Sequence, residues 1–172
     1  MYSTRIHALR NEYEEMLAFF GEQGQVSFAM YIDDTYKKSL LLSAASFFEA
    51  IITNAIHEFT TQVSRNRNEL VAFVDNKAIK RQYHTFFSWD SSNSNQFWGL
   101  FGDEMKAKAR RQIADRNLED AERSFLIIGK ERNNLVHRNY AEANVDYTFE
   151  EIYAHYTTAC DFVELITQML ST

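Results

Sequence analysis

The sequence contains no proline and five glycines among 172 residues. At the ordinary ~5% usage a chain of this length would carry about eight prolines. Sheet-rich folds are joined by many tight turns, and tight turns recruit Gly and Pro. β-Sandwiches, barrels and doubly wound sheets are therefore disfavoured, and long helices joined by few loops are expected. A single cysteine, Cys160, makes neither an internal disulfide nor a Cys-based zinc site. No apolar run is expected to reach the roughly 20 residues that span a bilayer. Met1 to Arg10 lacks a basic stretch followed by an apolar one, so no secretory signal is expected. The expected setting is the cytoplasm, with no membrane partner.

What is present is a composition typical of one globular domain, 45% hydrophobic and 24% charged. We read residues 1–172 as a single domain. The formal net charge is −6, but its distribution is uneven. Residues 1–60 carry −4 and residues 141–172 carry −6, whereas 61–100 and 101–140 carry +2 each. An acidic total argues against general coating of nucleic acid. It leaves room for a local phosphate site in the middle of the chain.

Hydrophobic periodicity predicts an all-α bundle of five to six helices. The first runs from about Ser3 to Phe20, with Ile6, Leu9, Tyr13, Met16, Leu17 and Phe20 as its packing face. A long central helix runs from about Asp34 to Ser64. A third covers 66–82. Tyr83 to Asn95 reads as a loop, and Phe97 to Gly102 as a short docked turn. Residues 103–114 form a basic helix, 118–136 a further one, and 149–170 the last. Thr148 and Glu151 have the spacing of a capping box at its start.

One residue breaks this pattern. In the 118–136 helix the apolar stripe is Leu118, Ala121, Phe125, Ile128, Leu135 and Val136. Arg132 falls on that stripe. A guanidinium there needs a carboxylate, a phosphate or a wet cleft. Taken alone, such an arginine is most often paired to an internal acid, with Glu49 as one candidate. Arg132 is not alone, however. Asn133 and His137 follow it, four residues apart on one helix face, with Arg138 next in sequence.

Arg132-Asn133-x-x-x-His137 resembles the Arg-polar-x-x-x-His motif of the HEPN superfamily. Those domains are all-helical, and the motif ends their penultimate core helix. Ser43-Ala44-Ala45-Ser46-Phe47-Phe48-Glu49 and the Phe97-to-Gly102 turn are similar to the RiboL-PSP branch. The resemblance implies a metal-independent endoribonuclease without cofactor, acting in bacterial toxin–antitoxin or antiviral defence. RNA carries its own nucleophile, the 2′-OH. A histidine moves protons near neutral pH and an arginine stabilises charge on the phosphorane. The implied products are a 2′,3′-cyclic phosphate and a 5′-OH. His137 is then acid or base, Arg132 binds phosphate, and Asn133 orients His137 or the phosphate. The resemblance also implies a two-fold homodimer that brings two motifs to one cleft, and an antitoxin or defence-system protein as partner.

Other features have plainer readings. His7, His57, His84 and His155 are scattered without metal-ligand spacing, so structural or surface roles are expected and no metal site. The aromatics from Tyr83 to Phe101 are expected to pack rather than stack on bases. Lys106, Arg110 and Arg111 on the basic helix either steer RNA or form a solvated face. A non-catalytic HEPN-like dimerisation or partner-binding module is the competing function. A plain helical bundle, with Arg132 paired internally, is the third reading.

Overall fold

The computed structural model describes residues 2–65, 67–138 and 140–171. Among them are eight α-helices and no strand. These are α1 (Thr4–Glu22), α2 (Val26–Val63), α3 (Asn68–Val74), α4 (Tyr83–Phe86), α5 (Asn95–Gly99), α6 (Asp103–Asp115), α7 (Glu119–His137) and α8 (Phe149–Leu170). A π-helical turn, Asp75–Ile79, extends α3. Five of the helices have 13 residues or more, which agrees with the expected bundle.

Helix α2 is the axle. Its 38 residues give about 57 Å at 1.5 Å per residue. Leu40, Leu41, Ala44, Phe48, Ile52 and Ile56 are buried along it, against α8 and α7. The ring of Phe48 lies 5.7 Å from both Phe125 of α7 and Tyr156 of α8. Phe125 in turn lies 5.3 Å from Phe162. A large, interlocked aromatic core of this kind fixes the three helices against one another. Contrary to the sequence expectation, α2 contains an 18-residue window of mean hydropathy 1.5, apolar enough by length and composition to cross a membrane. In this fold 44% of that window is buried.

Helix α7 suits its place electrostatically. Glu119, Asp120 and Glu122 occupy its first turn and His137 its last, the arrangement the helix dipole favours. The predicted capping box of α8 is present. Thr148 Oγ1 accepts from the Glu151 N–H at 3.2 Å, and the Glu151 carboxylate accepts from the Thr148 N–H at 2.8 Å.

Three elements differ from the sequence reading. Helix α2 begins at Val26 rather than near Asp34. Its first turns pair with the end of α1 as a hairpin tip that buries nothing between Tyr13 and Lys38. Met16, expected to pack, is exposed there, beside exposed Phe19, Val26, Phe28, Met30 and Tyr31. The helix expected over 66–82 is broken. It stops at the π turn, where the Lys80 N–H reaches the Asp75 carbonyl at 2.8 Å and His57 Nδ1 meets Asp75 Oδ1 at 2.9 Å. Arg81 then takes a left-handed backbone, φ 60°. The expected loop after it contains the single turn of α4.

Candidate functional site

Helix α7 carries Arg132, Asn133 and His137 on its last turns, next to the middle of α2. Arg132 and His137 line one open groove of about 320 Å³ with Glu49 of α2 and with Arg81, Tyr83 and His84. A volume near 300 Å³ is the lower end for sites that hold small organic groups. Beneath it, Glu49, His84, Trp89, Gly129, Arg132 and Asn133 border a crevice of about 10 Å³, room for about one water.

The structure decides the question raised by an arginine on an apolar stripe. Glu49 faces Arg132, but Oε2 lies 3.9 Å from Nη2, and both side chains are partly exposed, at 41% and 32%. Charge-assisted hydrogen bonds run at 2.7–2.9 Å. At 3.9 Å the pair has charge attraction and no hydrogen bond, worth about 0–1 kcal/mol in an open site. Arg132 Nη1 donates to Asn133 Oδ1 at 3.1 Å. The fork is thus held at one edge and leaves donors facing the groove. Asn133, expected to orient His137 or a phosphate, accepts that bond through its amide oxygen, since adjacent side chains at the helix edge bring the amide to the guanidinium. His137 is exposed at the groove rim.

The opposite wall is the stretch from Arg81 to Trp89. Tyr83 is buried. Burial, then the negative charge of Glu49, pushes its phenol well above the ordinary range, with Arg132 opposing. Tyr83 therefore stays a neutral O–H at the groove floor. Phe86 and Phe87 are buried next to it, and Phe87 stacks on Phe97 at 4.7 Å. Trp89 is seated directly on α7. A Cβ built on Gly129 would lie 1.9 Å from its ring. Glycine inside a helix costs roughly 0.5–1 kcal/mol relative to alanine. Here it creates the seat for the indole, one turn before Arg132. The indole Nε1 then donates to the His84 carbonyl at 2.9 Å, and Gln96 Nε2 to the Thr85 carbonyl at 2.7 Å. His84, expected to have a structural or surface role, is exposed, and its carbonyl is tied through Trp89 to the motif helix.

The remaining residues singled out in the sequence lie elsewhere. Arg110 borders a separate cleft with Glu119 and Glu122 at the start of α7, about 20 Å along the helix from Arg132. Lys106 and Arg111 belong to that same helix α6. The basic helix is thus not part of the groove. Arg138 is exposed just beyond α7. His7 bonds Tyr153 at the α1–α8 contact, and His155 meets Ser124 at 3.1 Å. Burial lowers the His155 pKa, with Glu151 opposing. Cys160 is buried, and burial pushes its thiol up to about 11. Phe86, Phe87, Phe97 and Trp98 are core residues, so packing accounts for most of the aromatic stretch. Among the described residues no three His, Cys, Asp or Glu side chains are grouped so as to hold a metal ion.

Sequence reasoning did not place Arg81 and His84 at the groove, or Gly129 under Trp89. The isolated helical glycine was the one local signal, since a glycine inside an otherwise regular helix implies close approach by another group.

The sequence model of the RiboL-PSP-HEPN family matches residues 8–172. No curated protein and no solved structure matches the chain.

Proposed function

The chain belongs to the RiboL-PSP-HEPN family, and from that premise we propose that it is a metal-independent endoribonuclease. One observation carries this reading. Arg132 and His137, the charged members of the motif, line one open groove, and Glu49 does not hydrogen-bond Arg132. An imidazole titrates near neutral pH and moves protons to and from oxygen. A guanidinium fork matches a phosphate and stabilises charge that grows on it during attack. RNA supplies the 2′-OH nucleophile, so these groups suffice for cleavage to a 2′,3′-cyclic phosphate and a 5′-OH. In this reading the protein is cytoplasmic, works as a homodimer, and serves a toxin–antitoxin or antiviral role under control of a partner protein. Val136 and Tyr140, exposed on either side of His137 and Arg138, offer apolar surface to a second copy.

The test is RNA cleavage in EDTA by the wild-type protein, His137→Ala and Arg132→Ala, with analysis of product ends. Wild-type cleavage to cyclic-phosphate ends and loss of 100-fold or more in each variant is the expected result. Equal rates in all three proteins reject it.

A second reading, a non-catalytic partner-binding module, is favoured by the α1–α2 hairpin tip. Phe19, Val26, Phe28, Met30 and Tyr31 are each at least 57% exposed there, five large apolar side chains at one tip for a partner to cover. That reading requires an inactive wild type, which the same assay reveals.

A further inference from the structure

We propose that the tip of the α1–α2 hairpin is a docking surface for a helix of a partner protein, one whose apolar stripe is bordered by lysine and arginine. The inference stands apart from the groove and holds whether or not the chain cleaves RNA.

The hairpin extends past the rest of the bundle. Helix α8 begins beside Tyr13, where its first residue, Phe149, stacks on the Tyr13 ring at 3.9 Å. Past that point α1 runs on to Glu22 without another buried residue, about 14 Å at 1.5 Å per residue, with α2 beside it. Two helices alone leave apolar faces that a third normally covers. The exposed rings form one cluster. Phe19 meets Phe20 edge-on at 5.4 Å, and Phe20 stacks on Phe28 at 5.5 Å. Phe19 and Phe28 are each 57% exposed. Met16, exposed one turn before Phe19, adds an adaptable apolar side chain.

Charge decides what fits this cluster. Between Asn11 and Tyr36 the chain has six Asp and Glu and no Lys, Arg or His. Arg10, Lys37 and Lys38, at the base of the hairpin, pair with Glu14, Asp33 and Asp34. Glu12, Glu15 and Glu22 are exposed and make no ion pair among the described residues. Glu12 precedes Met16 by one helical turn, and Glu15 and Glu22 stand one turn to either side of Phe19. Carboxylates without cations thus border the apolar cluster. Such a surface repels the tip of another copy, an anionic membrane and nucleic acid. A second copy gathered at the groove would also leave it free, because Phe28 lies about 32 Å along α2 from Glu49. A helix with an apolar stripe and basic borders matches both the rings and the carboxylates.

The test uses the intact protein and a fluorescein-labelled peptide of about 20 residues, with leucine at helical spacing and lysine between. Anisotropy is expected to show saturable binding at micromolar concentration, weakened by salt. The same peptide with glutamate in place of lysine is expected not to bind. Phe19→Ser and Phe28→Ser are each expected to weaken binding about tenfold. Both side chains are exposed, so unchanged far-UV dichroism and unfolding midpoint report an intact fold. Glu15→Gln combined with Glu22→Gln is expected to weaken binding about fivefold and to flatten its salt dependence. Leu100→Ser, at an exposed apolar residue outside the hairpin, is expected to leave the affinity unchanged. Sedimentation of the protein alone is expected to be the same for wild type and Phe28→Ser. Equal binding of the two peptides overturns the charge match. Absence of binding, or an affinity that the hairpin variants do not move, overturns the docking surface. An oligomeric state that changes with Phe28→Ser places a second copy on the tip and overturns the partner helix.

Discussion

One wall of the groove is the end of α7, a regular 19-residue helix packed along α8 and α2. The other runs through a left-handed residue, a single turn of helix and a loop, Arg81 to Trp89. The first is held by periodic burial of Phe125, Ile128 and Leu135, with its backbone hydrogen bonds satisfied internally. The second has no such ladder. It is held by what its side chains reach: Phe87 stacked on Phe97, and Trp89 on the face of Gly129. A continuous stripe thus builds a wall by itself, whereas an irregular wall depends on a few distant contacts. Functional side chains on the two walls should therefore respond differently to substitutions that leave them untouched.

The residue that joins the walls should give the largest effect. Phe125 is 1% exposed and lies 4.8 Å from Phe87 on one side and 5.7 Å from Phe48 on the other. Phe125→Ala removes a ring from a close-packed interior and is expected to cost about 3–5 kcal/mol. Urea unfolding should show a lower midpoint with an unchanged slope. A loss below about 1 kcal/mol would show that the two walls are not mechanically joined through this ring.

Gly129→Ala separates the walls more finely. Alanine gains about 1 kcal/mol of helix propensity. Its Cβ, however, would fall 1.9 Å from the Trp89 ring, a clash relieved only by expelling the indole. Overpacking of this kind costs about 1–3 kcal/mol, so the clash should win. Far-UV dichroism should keep the α7 signal while tryptophan fluorescence shifts to the red. RNA cleavage should fall although no groove residue has changed its identity. A variant more stable than wild type, with unchanged fluorescence, would mean that Trp89 does not depend on its seat.

The two walls also differ in how far they can be read from sequence. The stripe of α7 as far as Leu135, its misplaced Arg132 and the Thr148–Glu151 box are local patterns and were legible, whereas Val136, read as the last of the stripe, is exposed. Helix α8 was read almost residue for residue, because its apolar face is continuous and its start is capped. The first turns of α2 were not legible. Val26, Phe28, Met30 and Tyr31 are exposed, so no buried stripe marks them as helical. His84 was not legible for another reason. It sits 48 residues before Arg132, and what joins them is an indole lying on a glycine. Periodicity carries no trace of such a contact. The cations of α6 show a different gap. Their cluster is plain in the sequence, but only the fold shows that Arg110 borders a cleft at the far end of α7 from the groove.

A smaller effect is expected where α8 begins, since α8 backs the regular wall. Thr148→Ala removes the cap and should cost about 1 kcal/mol at neutral pH. The Thr148 N–H and hydroxyl hold the Glu151 carboxyl below its ordinary value of 4.5. A carboxyl with a depressed folded pKa contributes stability that is present above its unfolded value and lost as pH falls through the folded one. The difference between wild type and Thr148→Ala should therefore be full at pH 7 and shrink below pH 4.5. The backbone N–H remains in Thr148→Ala, so a difference that stays constant across that window would show that the Thr148 hydroxyl does not act through the carboxylate.

The smallest change should have the opposite sign. Arg81 occupies a left-handed position that glycine takes without steric cost. Arg81→Gly relieves that strain and loses some of the gain to greater freedom of the unfolded chain. The net is expected to be a stabilisation of up to about 1 kcal/mol, visible as a rise of roughly 2–4 °C in the unfolding midpoint. The same substitution takes a cation from the irregular wall, so RNA binding should weaken as stability rises. An equivalent exchange on the regular wall, Asn133→Ala, removes only the bond from Arg132 at a position without strain, and should bring no stabilisation through strain relief. If Arg81→Gly instead destabilises the protein, the left-handed residue is itself part of what holds its wall in place, and the irregular wall is then supported by its backbone as well as by its aromatic anchors.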